Sequence, residues 1–125
     1  MRSLLLVPLL LAATSAAAQT QPRTVEVRLS SFDYSPREIR LRAGEPVILR
    51  LVNTSGGGHN FSAPAFFAAA RLPAAEQGAV REGSIEVRSR QSVSVRLVPA
   101  RGTYRLRCTH TLHSTLGMRG RIIVE

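Results

Sequence analysis

Apolar and polar residues alternate with period two along several stretches of this chain, the pattern of a strand with one buried and one wet face. Val25, Val27 and Leu29 alternate with Glu26, Arg28 and Ser30, and Val93, Val95 and Leu97 with Ser92, Ser94 and Arg96. Tyr104, Leu106 and Cys108 alternate with Thr103, Arg105 and Arg107, a phase that turns the Cys108 thiol inward. Val47, Leu49 and Leu51 form another apolar row, and the added Ile48 and Val52 mark that strand as central. Shorter candidates run over 38–42, 84–88 and 121–124, with turn residues between them at Ser35-Pro36, Ala43-Gly44, Ser55 to Gly58, Gly83, Pro99 to Gly102 and Gly117. About seven strands at this spacing predict an all-β chain folded as an antiparallel sandwich. The rhythm fails only over residues 62–82, rich in Ala with Pro64, Phe66, Phe67 and Pro73. There a short helix over 65–71, with Ser62 as a candidate cap, is expected inside an irregular excursion.

The first residues break the pattern in another way. Arg2 precedes an apolar run from Leu4 to Leu11, and Ala16-Ala17-Ala18 offers the small-x-small site of a signal peptidase. Residues 1–18 read as a signal peptide and residues 19–125 as one mature domain. The apolar run is shorter than the roughly 20 residues that span a bilayer as a helix. The mature chain is therefore expected in the periplasm or secreted.

Charge changes the picture less. There are 17 basic residues, every one of them Arg, against 8 acidic ones. A positive surface would steer an acidic partner, but the arginines are scattered along the sequence, so a well-solvated surface is the preferred reading. Two Tyr, four Phe and no Trp, with no basic run interleaved with aromatics, argue against nucleic acid.

The chemistry is concentrated. With Met1 set aside the chain holds one Cys, one Met and three His, and four of those five fall in Cys108-Thr109-His110-Thr111-Leu112-His113-Ser114-Thr115-Leu116-Gly117-Met118. A lone cysteine in an exported chain makes no internal disulfide. Thiolate with imidazole favours copper or zinc, and a weak thioether as further donor points to copper. Cys108 ends its strand facing inward, Gly117 suits a sharp turn, and His59 is the one histidine outside the loop that a neighbouring strand can bring close. His110 and His113 compete for the loop imidazole; His113 is preferred because it leaves room for Met118 to reach the same point.

His59-Asn60-Phe61, the Cys-x4-His-x4-Met spacing of Cys108, His113 and Met118, and the Gly102-Thr103-Tyr104 lead-in together resemble a small blue-copper protein of the cupredoxin family. The resemblance extends over essentially the whole mature chain. It implies an antiparallel Greek-key β-sandwich, one copper ion in a plane of His59, Cys108 and His113, and Met118 as a long axial ligand. It further implies that Asn60 and Thr109 tie the two ligand loops together by hydrogen bonds.

The same spacing is similar to the mononuclear copper site of multicopper oxidases. Those flank the cysteine with histidines, whereas Arg107 and Thr109 stand here, and three histidines cannot build a further copper cluster. No carboxylate pair, Ser-His-Asp order or phosphate loop suggests an enzyme. The expected function is one-electron transfer between Cu(I) and Cu(II) by a monomer that meets a redox partner with an acidic surface. The alternative is a periplasmic copper carrier or copper-resistance protein.

Overall fold

The computed structural model describes residues 12–13, 21–113 and 115–125. The segment read as a signal peptide, residues 1–18, lies outside them apart from residues 12 and 13.

Two sheets are built from nine strands among the described residues: β1 Arg23–Ser30, β2 Asp33–Ser35, β3 Glu38–Leu41, β4 Val47–Asn53, β5 His59–Ser62, β6 Ser84–Val87, β7 Ser92–Leu97, β8 Gly102–Arg107 and β9 Arg119–Val124. The first sheet runs β2-β1-β4-β7 and the second β3-β9-β8-β5-β6. The alternation read from sequence is the burial pattern observed. Val27 and Leu29 of β1, Val47, Leu49 and Leu51 of β4, and Val95 and Leu97 of β7 are buried from one sheet. Ile39, Phe61, Ile85, Val87, Leu106, Ile122 and Val124 are buried from the other. Each such side chain, removed from water, contributes about 1.5–3 kcal/mol.

The sandwich is all-β with one helical excursion, as expected, and most pairings are antiparallel. Two are parallel: β1 with β4 and β3 with β9. Between β1 and β4 the chain makes the β2 hairpin and then crosses to the other sheet for β3, so it re-enters the first sheet in its original direction.

Helix α1, Pro64–Ala69, opens the excursion, and a 3-10 turn follows over Ala74–Ala79. Ser62 does not cap α1. The cap position is Ala63 with no side-chain bond, and Ser62 belongs to β5, paired with Ser84 and Arg107. Pro64 makes a side-chain cap dispensable, since its fixed φ suits a first turn and it has no N–H to satisfy. Phe66 and Phe67 of α1 pack edge-on to each other and, with Phe61, lie in the core. No helix among the described residues is long and apolar enough to cross a membrane.

Candidate metal centre

His59 is the first residue of β5, and β5 departs from strand alternation because all four of its residues are buried. Asn53, at the end of β4, shapes the turn that delivers it. Its buried amide donates to the carbonyls of Gly57 at 2.8 Å and Val87 at 3.0 Å, and its Oδ1 accepts from the Ser55 N–H at 2.9 Å and hydroxyl at 2.7 Å. One short side chain thus satisfies the backbone of a glycine-rich crossing between sheets.

Cys108 follows β8 with its side chain buried, and the chain then folds back on itself. The His113 N–H donates to the His110 carbonyl at 3.1 Å, the Met118 N–H to the His113 carbonyl at 3.0 Å, and the Cys108 N–H to the Met118 carbonyl at 3.1 Å. Met118, fully buried, is therefore bonded through its backbone to both Cys108 and His113. Gly117 sits at φ 102°, a left-handed conformation that a side chain disfavours, and it makes the turn possible.

His59, Cys108 and His113 converge. His59 Nδ1 and His113 Nδ1 are 3.1 Å apart, His113 Nδ1 is 3.3 Å from Cys108 Sγ, and His59 Nδ1 is 3.9 Å from it. A circle through three atoms at these separations has a radius of about 2.0 Å, and its centre falls inside the triangle. That radius matches a metal–nitrogen bond of about 2.0 Å and lies close to a metal–thiolate bond of about 2.3 Å. Two imidazole lone pairs and a sulfur aimed at one point repel one another unless a cation or a proton lies between them. The set of one thiolate, two imidazoles and a neighbouring thioether residue fits copper.

The surroundings fix these groups. Ser31 Oγ lies 3.3 Å from His59 Nε2, so the tautomer with its proton on Nε2 donates there and leaves Nδ1 facing the sulfur. Burial pushes the His59 pKa below its ordinary 6.5, the neighbouring His113 and His110 push it further, and Glu86 opposes them. The Asn60 N–H points at Cys108 Sγ, 3.5 Å away. The Asn60 side chain donates to Thr109 Oγ1 at 2.7 Å and accepts from the Thr109 N–H at 2.9 Å. Tyr34 donates from its buried hydroxyl to the Asn60 carbonyl at 2.6 Å.

His110 is held elsewhere. Its Nε2 lies 2.8 Å from Glu86 Oε1, and its ring stacks on that of His113 with centroids 5.3 Å apart. The geometry groups His113, and not His110, with Cys108 and His59. Phe32, in the turn after β1, sets its ring edge against His113 at 4.9 Å. Neither Phe32, Ser31, Tyr34 nor Glu86 announces itself in the sequence, since each reaches the site through strand pairing rather than through proximity along the chain.

Comparison with known proteins adds the family. A family model for the cupredoxin-like domain matches residues 3–124. The fold is similar to that of dithionite-reduced auracyanin from the photosynthetic bacterium Roseiflexus castenholzii, with a TM-score of 0.60 at 19% identity, covering 85% of this chain and 99% of that one. Auracyanin B gives 0.61 at 25% identity over 90% and 95% of the two chains. Auracyanin A from the green thermophilic photosynthetic bacterium Chloroflexus aurantiacus gives 0.60 at 22% over 84% and 100%. No curated protein matches. With a domain match along nearly the whole sequence, a two-sheet sandwich and a donor triangle sized for one copper ion, the chain belongs to the cupredoxin-like domain family.

Proposed function

We propose that this chain is an exported blue copper protein that carries single electrons, with His59, Cys108 and His113 as its strong ligands and Met118 as a weak axial donor. The observation that carries this reading is the triangle of Nδ1, Nδ1 and Sγ around one point beside a buried Cys108. Copper bound there supplies a Cu(I)/Cu(II) couple whose potential responds to the axial donor and to hydrogen bonding at the sulfur.

The chain's own residues do the rest. The Asn60 N–H directed at the Cys108 sulfur favours the thiolate. The Asn60–Thr109 bonds, the backbone bonds from Met118, and the Asn53 turn hold the donors at the same separations whichever charge the centre carries, which keeps reorganisation small. His113 is half-buried, and its neighbours Leu112 and Leu116 are 65% and 57% exposed, large apolar side chains at the mouth of the site. That edge is the exit for the electron and a place where a partner can approach without trapping water.

Residues 1–18 as a cleaved signal and 19–125 as a monomeric domain outside the cytoplasm complete the reading, with an acidic redox partner suited to the excess of arginine.

Loading with Cu(II) tests it. An intense thiolate-to-copper band in the visible and a reversible redox couple are expected, and Cys108→Ser should remove the band. His113→Ala should lose the normal spectrum while His110→Ala keeps it; the reverse would exchange their roles. A colourless protein that only exchanges Cu(I) would instead make this a copper carrier.

A further inference from the structure

The arginines that look scattered in the sequence are gathered by strand pairing. In the β8–β9 ladder Arg105 stands directly opposite Arg121, and Arg107 directly opposite Arg119. All four are exposed and share one face of the sheet, where they border a common shallow groove. Like charges directly opposite each other on a sheet, with Cβ atoms about 5 Å apart, destabilise the pairing. Arg121 has an acidic neighbour across the β3–β9 register, Glu38 at 3.2 Å. Arg105 and Arg107 make no ion pair among the described residues. A sheet that stacks two like-charged pairs side by side spends stability on something other than folding.

We propose that this arginine quartet is the docking face for carboxylates on the redox partner protein, a reading that rests on the electron-carrier function above. Guanidinium groups recognise carboxylates by paired N–H donors, and two cross-strand pairs present several such forks in a fixed row. The face is also continuous with the site: Arg107 immediately precedes Cys108 and Arg119 immediately follows Met118. An acidic surface seated there lies one residue from two of the proposed ligands. A membrane suits this face less well. Peripheral helices and loops that bind lipid combine basic with exposed apolar side chains, and the large exposed apolar residues here, Leu112 and Leu116, belong to the ligand loop instead.

The test uses fluorescently labelled octaglutamate as probe and the copper-loaded, reduced protein. Arg105→Gln with Arg107→Gln should weaken peptide binding about tenfold, whereas Arg28→Gln with Arg96→Gln, equal in charge but on the outer face of the other sheet, should weaken it about twofold or less. Amide shifts induced in the unaltered protein should centre on β8 and β9. Equal weakening by both double variants would overturn the proposal, because net charge alone would then explain the binding. So would binding to phosphatidylglycerol vesicles, sensitive to the Arg105/Arg107 change, with no binding to the peptide. Absence of the visible band from a separate Cu(II)-loaded sample, with peptide binding intact, would count against the copper reading and leave the docking face standing.

Discussion

Asn60 and Thr109 hold each other through two hydrogen bonds, one in each direction, the amide donating to the Thr109 hydroxyl at 2.7 Å and accepting from its backbone N–H at 2.9 Å. They lie 49 positions apart, and each adjoins a residue of the donor triangle, His59 on one side and Cys108 on the other. Asn60→Ala removes both bonds together with the constraint they place on the two loops. Its side of the exchange is buried while Thr109 is exposed and can turn to water, so a loss of about 1–2 kcal/mol is expected. Denaturant unfolding of the metal-free protein measures it, and the copper-loaded variant should show a shifted visible band.

Tyr34 extends that link into the core. Burial first, and the nearby Cys108 second, push its pKa far above the ordinary value of 10.0, so the hydroxyl remains a donor to the Asn60 carbonyl throughout the working pH range. Tyr34→Phe leaves that carbonyl without its partner at a cost of about 1–3 kcal/mol. A change in stability below about 0.5 kcal/mol would mean that the bond adds little.

The depressed pKa of His59 gives the metal-free protein a pH dependence of definite sign. The folded state resists protonating this ring, so the unfolded chain binds the proton more readily. Stability is complete above the unfolded value of 6.5 and is lost as pH falls through the lower folded value. Urea titrations of the metal-free protein between about pH 7.5 and pH 5 should show a falling midpoint, and His59→Gln should flatten the slope.

Gly120 is a packing test close to Met118. A Cβ there would meet the Arg37 carbonyl oxygen, a backbone atom that cannot step aside, at 2.4 Å, and Leu106 Cδ2 at 3.2 Å. Gly120→Ala should therefore push β9 away from the segment leading into β3, costing about 1–3 kcal/mol in denaturant unfolding. Unchanged stability would show that this approach can relax freely.

Much of the fold was legible because period-two alternation survives wherever one sheet face is wet, as in β1, β7 and β8. It was silent for β5, whose residues His59, Asn60, Phe61 and Ser62 are covered on both faces, and for β2, only three residues long. Cys108 and Met118 stood out by rarity. His113 was preferred over His110 from spacing alone, but what holds His110 aside, the Glu86 carboxylate that Asn60 faces across the β5–β6 pair, is revealed by no spacing along the chain. The arginine row was hidden for the same reason: residues 105 and 121 become neighbours only once β8 and β9 are in register.

The parallel pairing of β3 with β9 bears on the order of events during folding. Glu38 meets Arg121 across 83 positions of chain, and such long-range closures form slowly. Met118 leads directly into β9, whose local antiparallel partner β8 ends just before Cys108, whereas His59 reaches the loop only through the long-range β5–β8 pairing. Until β5 and β8 pair, His59 and the loop donors belong to separate segments of the chain. Copper should accordingly be captured by an already folded chain, and refolding rates with and without the ion should agree, the metal acting instead to slow unfolding.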